Sequence, residues 1–163
     1  MNHGGKKMFR ELRRKDKSVS PEEAISILAS QTHGVLAVSG DDGYPYAVPV
    51  SYVYEDGKIH FHCSNVEGHK LAALKKDPKV SFCVVSKDEI KPADFSTKFA
   101  SAIAFGKARI IEDMEEMHGP LMLILEKYSP DYTEDGKEYI DECRGQFLVV
   151  TIDIEHLTGK APK

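Results

Sequence analysis

Residues 44–71 read YPYAVPVSYVYEDGKIHFHCSNVEGHKL, and their pattern decides the fold. Residues 44–54 form an extended run with Ala47, Val48, Val50 and Val53 among its apolar positions. Glu55-Asp56-Gly57-Lys58 is a turn cluster of the hairpin kind, and residues 59–63 form the next strand. Pro49 lies inside the first run and cannot donate a ladder hydrogen bond. It therefore marks an edge, a bulge or a position facing a ligand. After Cys63 the chain leaves strand geometry. Ser64-Asn65-Val66-Glu67 is a loop, and Gly68-His69-Lys70 opens a helix whose apolar side is Leu71 and Leu74. A helix start carries unpartnered N–H groups and a partial positive charge. A small Gly, a His and a Lys at that point, with Ser64 just before, describe a seat for a phosphate group.

Outward from this stretch the same strand signals recur. Residues 35–38 form a short apolar strand, joined to residue 44 by the turn cluster Gly40-Asp41-Asp42-Gly43. Ser20-Pro21-Glu22-Glu23 starts a helix: Ser20 caps, Pro21 suits the first turn, and Glu23 completes a capping box. Downstream, a helix from Gly68 ends at Asp77-Pro78, and residues 79–85 form a strand. Residues 86–98, polar and proline-bearing, read as a loop. Residues 99–111 form a long strand with Gly106 as a bend or bulge. Asp113 caps a helix whose apolar face is Met114, Met117, Leu121, Ile124 and Leu125, and Gly119-Pro120 should kink or restart it. Residues 137–144 form a short helix. Residues 147–154 form a last strand, followed by a loose tail after His156. The chain is thus mainly β: six strands with short helices, arranged as a small antiparallel barrel.

Size and charge narrow the function. The 163 residues suffice for one domain with a core, and the net charge of −4 argues against a broad nucleic-acid surface. The basic run at Arg10, Arg13, Arg14, Lys15 and Lys17 reads as a solvated arm or a contact with a partner subunit. Residues 1–7 read as dispensable, with Met8 a natural start. No long apolar run suits a membrane span. The N-terminus has no signal-peptide core, and three cysteines without paired spacing do not make a disulfide framework. The expected compartment is the cytoplasm.

His60, His62 and Cys63 invite a metal reading. On a strand, however, Cys63 points away from both histidines, and no further ligand has a credible spacing, so no metal is expected. The two histidines are expected on a solvated or interface face. Cys63 could serve as a nucleophile with a pKa lowered by the helix start, but no acidic orienting partner stands out, so no catalytic residue is assigned. Nucleotide-binding glycine loops are also missing from the sequence.

The combination YAVPVSY, FHC, GHK and DPKVSF, with FSTKFASAIAFGKARIIED further on, resembles the FMN-binding split-barrel flavoproteins related to pyridoxamine 5'-phosphate oxidase. Within that group it is most similar to the nitroimidazole-resistance proteins. The resemblance spans residues 9–153. It implies a six-stranded antiparallel split barrel over residues 18–156, preceded by an extension and basic arm over 1–17 and followed by a tail over 157–163. It implies a homodimer with FMN at the subunit interface. The isoalloxazine would run along Val48, Pro49, Val50 and Ser51, and the ribityl chain and phosphate would approach Cys63 and Ser64. His69 and Lys70 would bind the phosphate, and the partner would contribute the region around Ser101. The family's oxidases carry Arg-Lys at the helix start and an arginine where Val48 stands here. Oxidation of pyridoxamine phosphate is therefore not expected. The implied activity is reduction of a small electron acceptor, a nitroaromatic among the choices, with NAD(P)H or another donor refilling the flavin. The alternative implied by the same fold is a flavin- or haem-binding storage protein without turnover, with His60, His62 and His69 keeping haem open.

Overall fold

A computed structural model describes residues 8–162. The expectation that residues 1–7 are dispensable lies outside the described residues. One antiparallel sheet of seven strands makes the body of the molecule: β1 (His33–Ser39), β2 (Pro45–Ser51), β3 (Val53–Glu55), β4 (Lys58–Ser64), β5 (Lys79–Lys91), β6 (Ser96–Ile111) and β7 (Phe147–Lys160). Their order across the sheet is β2-β1-β5-β6-β7-β4-β3. The two edges, β2 and β3, are consecutive in the chain and separated only by Tyr52. The sheet therefore curls until its edges nearly meet, and what joins them is one residue of covalent chain. The sheet is not closed by hydrogen bonds, which is the architecture of a split barrel.

The interior follows from alternation along each strand. Leu36, Ile59, Phe61, Phe82, Val84, Val150 and Ile152 are buried in one core, with Ala102 and Ala104 supplying the small positions of the long β6. Burial of each large side chain contributes about 1.5–3 kcal/mol. Helix α1 (Pro21–Ala29) begins as its sequence dictates, the Ser20 hydroxyl oxygen accepting from the Glu23 N–H at 3.1 Å, and it buries Ala24, Ile27 and Leu28. Helix α2 (His69–Lys76) buries Leu71, Ala73 and Leu74 in the same core. Helix α3 (Met114–Tyr128) is capped by Asp113, whose carboxylate accepts from the Glu116 N–H at 3.0 Å. Its Met117 and Leu121 pack on Ile111 and Val149 as a second, smaller core. Helix α4 (Thr133–Glu142) follows it and buries no residue. No helix among the described residues is long and apolar enough to cross a membrane.

Several boundaries differ from the sequence reading. The run over residues 44–54 is two strands, which makes seven strands where six are expected. Residues 86–98 are not a loop. β5 and β6 continue as a two-stranded ribbon, paired from Lys87↔Ala100 to Lys91↔Ser96 and turned by residues 92–94. The strand expected over 147–154 runs on to Lys160, because residues 156–160 pair with 101–105 of β6, so the tail expected to be loose is strand through Lys160. Helix α3 continues through Gly119-Pro120 without restarting, held on both sides of the proline by Met117 and Leu121. Gly106 is a bulge as expected. The register with β7 shifts between Phe105 and Gly106, and a Cβ there would stand 2.2 Å from the Asp153 carbonyl oxygen.

Candidate functional site

The split in the barrel is where the candidate site lies. β3 pairs with β4 only as far as Val53↔His60, so Phe61 to Ser64 have β7 on one side and no strand on the other. β2 pairs with β1 alone, which places Pro49 on an edge strand, opposite Val35. The unpaired edges of β2 and of β4 beyond Phe61 thus flank an opening that starts at Tyr52.

At Tyr52 every backbone group is satisfied from α3. Its N–H donates to the Tyr128 hydroxyl at 2.8 Å, and its carbonyl accepts from Lys127 Nζ at 2.9 Å and from the Tyr128 hydroxyl at 2.6 Å. Lys127 also donates to the Gln31 carbonyl at 2.5 Å and lies over the Tyr52 ring at 4.4 Å from its centroid. The fully buried Tyr52 hydroxyl donates to the Leu28 carbonyl. Burial raises the Tyr52 hydroxyl pKa and lowers that of the Lys127 ammonium.

At the other end stands the first turn of α2. Gly68 offers no capping side chain, so the leading N–H groups of the helix are left for solvent or a ligand. The two basic residues that follow reach opposite sides of the split. His69 turns toward the β1–β2 turn, stacked on the Tyr46 ring at 4.1 Å with Nε2 3.6 Å from an Asp41 carboxylate oxygen. Lys70 turns toward β4. The residue is partly buried, and its ammonium lies 5.2 Å from the Phe61 ring centroid and makes no hydrogen bond or ion pair among the described residues.

Between the strands and the helices is a cleft of about 720 Å³. Ser51 of β2 and His62, Cys63 and Ser64 of β4 form its strand wall. Leu121, Ile124, Leu125 and Tyr128 of α3, with Tyr132, Tyr139 and Ile140 of the α4 region, form its helix wall. His62 is exposed on β4, yet desolvation by its neighbours, then the charge of Lys70, lower its imidazole below its ordinary pKa. Burial pushes the Cys63 thiol up, with Lys70 opposing. The lowered pKa considered for a nucleophilic Cys63 is therefore contradicted, because desolvation outweighs the charge of Lys70.

The structure thus brings together Ser51, Cys63 and Ser64, with Lys70 behind them. It points Val48 and Val50 inward, where they pack against the core, and leaves Pro49 exposed on the outer face of β2. Ser101 sits on β6 opposite Val85 and Lys160, outside the cleft of its own chain. His60 is buried, not solvated. Its Nδ1 lies 2.8 Å from the Thr151 hydroxyl, while Nε2 has no hydrogen-bond partner. His60, His62 and His69 therefore do not converge. Sequence reasoning picked out Leu121, Ile124 and Leu125 as the apolar face of a helix but did not place that face on a cleft. The tyrosines of the helix wall carried no signal beyond their number.

The family described as pyridoxamine 5'-phosphate oxidase matches residues 20–161. Among solved structures, a candidate 5-nitroimidazole antibiotic resistance protein from Bacteroides thetaiotaomicron is 25% identical, covering 88% of this chain and 85% of its own, with a TM-score of 0.76. A conserved hypothetical protein from Mycobacterium tuberculosis is also 25% identical, over 93% of this chain and 90% of its own, with a TM-score of 0.78. The FAD and heme binding protein of Mycobacterium smegmatis shares the fold at 20% identity, over 90% of this chain and 74% of its own, with a TM-score of 0.73. No curated protein matches the chain.

Proposed function

The chain belongs to the pyridoxamine 5'-phosphate oxidase family, and from that premise we propose that it binds FMN in the split of its barrel and acts as an oxidoreductase on a small electron acceptor. The observation that carries this reading is Lys70. A partly buried lysine with no hydrogen bond or ion pair among the described residues, at the uncapped start of a helix, is open to an anion. The uncapped first turn of α2 and the Ser64 hydroxyl at the adjacent strand end fit a phosphate beside it. The exposed edge of β2, with Pro49 and Ser51 on its outer side, offers backbone groups and a flat apolar surface to the isoalloxazine. When bound, FMN supplies the electron transfer between a donor such as NAD(P)H and the acceptor, with nitroaromatics a class to test. The chain's own residues bind and orient it. Lys70 fixes the phosphate, His62 and Cys63 face the cleft, and α3 and α4 keep solvent from one side.

A homodimer completes the reading. The outer face of the sheet carries two rows of small and apolar side chains in register: Pro49, Val35, Cys83 and Ile103, then Ala47, Ala37, Ser81 and Phe105. The β5–β6 ribbon projects Ile90 and the 98% exposed Phe95 beyond it. A second copy covering this face would bring its own Ser101 region toward the flavin.

Purification and titration test the proposal. The protein should be yellow, or become so on loading, and should release FMN on denaturation. Lys70→Ala should weaken FMN binding by about 1.5–3 kcal/mol, roughly ten- to a hundredfold or more. Unchanged affinity in that variant would place the phosphate elsewhere, and a chain that cannot be loaded with FMN would end the flavin reading.

A further inference from the structure

We infer that the helix wall of the cleft is a binding site for a planar aromatic molecule without negative charge. Its place in function, as the acceptor subsite beside the flavin, rests on the reading above, but the binding itself does not.

The first ground is the surface offered. Leu125, Tyr132, Tyr139 and Ile140 line one side of the cleft, and Tyr132 and Tyr139 are each 66% exposed. Two tyrosines left this open on a helix pair are flat, amphipathic faces with few neighbours of their own. Helix α4 buries no residue; Ile140 packs against the small core of α3 and β7, while Tyr132 and Tyr139 belong to neither core. The wall is nevertheless built closely. A Cβ at Gly136 would stand 2.3 Å from a Leu125 methyl carbon, so glycine lets α4 ride directly against α3. That contact sets the depth of the cleft.

The second ground is charge. Among the described residues Asp135 is the only carboxylate in the lining, and no Lys or Arg joins it. His62 lies across the cleft, its pKa lowered by desolvation and by Lys70. Lys70 stands behind the opposite, strand wall, and Lys127, at the closed end of the split, is taken up by the Gln31 and Tyr52 carbonyls. The cleft is therefore polarised. An anionic group is drawn to the strand wall, while the helix wall suits an uncharged ring and favours a cationic one. An aromatic acceptor held there would lie across the cleft from whatever occupies the strand wall.

Three probes that share a ring and differ in charge test this: 4-nitrobenzyl alcohol, 4-nitrobenzyltrimethylammonium and 4-nitrobenzoate. Binding to the full chain is read by equilibrium dialysis, with flavin-free and FMN-loaded protein measured separately. The neutral and cationic probes should bind, with the anion about tenfold weaker or more on the FMN-loaded protein, where the phosphate neutralises Lys70. Asp135→Asn should erase the advantage of the cation over the neutral probe. Tyr139→Ala should weaken all three severalfold. Equal affinity for the three probes on loaded protein, or no change in Tyr139→Ala, overturns the inference. So does a Tyr139→Ala variant that alters sedimentation but not probe binding, since the tyrosines would then belong to a contact with a second copy. Neutral-probe binding to flavin-free protein that survives Lys70→Ala keeps the outcome separate from the flavin proposal.

Discussion

The two ends of the split are built from similar parts and finished differently. At Tyr52 the strand edges are one residue apart, and Lys127 and Tyr128 satisfy every polar group that the break exposes. At the mouth, the strand edge from Phe61 to Ser64 is unpaired on one side over about 14 Å, and a lysine is again present. Lys70, however, has only a ring to lie against. Both lysines are partly buried and both sit on aromatic faces. The difference is that one has carbonyl acceptors and the other has none among the described residues. A lysine held by carbonyls ties structure together, whereas one without such partners is where the proposed phosphate would be held.

The sharpest way to break this comparison is to treat the two ends alike. Tyr128→Phe removes the acceptor of the Tyr52 N–H, which lies between β2 and β3 and has no strand partner. Leaving that group unpaired should cost about 1–3 kcal/mol of stability in urea unfolding. Lys70→Met at the mouth should leave the unfolding midpoint of flavin-free protein unmoved. Equal destabilisation by the two variants would mean that Lys70 is structural after all.

A smaller effect separates the two neighbours at the start of α2. His69 holds the helix to the β1–β2 turn through Tyr46 and Asp41. His69→Ala should cost roughly 0.5–1.5 kcal/mol, and His69→Phe should recover most of it by keeping the stacked pair. If His69 were instead a phosphate ligand, His69→Phe would lose FMN affinity as heavily as Lys70→Ala does.

How much of this could be read beforehand depends on which interactions are local. The turns at residues 40–43 and 55–58, the caps at Ser20 and Asp113 and the alternation of β1, β4 and β5 are properties of a few adjacent residues, and they were legible. The break at Tyr52 was not, because the alternation of apolar residues runs through it undisturbed. What makes Tyr52 a seam is Tyr128, 76 positions away. The ribbon over residues 86–98 escaped because a strand pair exposed on both faces carries Lys87, Asp88, Glu89 and Lys91 and so shows no hydrophobic period. Pro120 promised a broken helix, but packing of Met117 and Leu121 overrides it. The sequence also presented His69-Lys70 as one basic pair. Adjacent helical residues point about 100° apart, and here that angle spans the split.

The smallest effect concerns His60, which lies behind β3 and closes the comparison from the buried side. Burial lowers its pKa, opposed by the Glu55 carboxylate at 3.9 Å and by Asp153, and assisted by Lys58 and Arg109. A base whose folded pKa is depressed binds its proton more readily in the unfolded chain. Its neutral form therefore contributes stability above the unfolded value of about 6.5, and that contribution is lost as pH falls toward the folded value. Stability should accordingly decline below about pH 6.5. His60→Gln keeps a partner for the Thr151 hydroxyl and removes the titration, so it should flatten part of that decline, with His62 responsible for the remainder. Unfolding midpoints at pH 7.5 and 5.5 for both proteins decide the matter: an unchanged acid slope in His60→Gln would show that His60 accepts its proton in the fold without cost, with Glu55 outweighing burial.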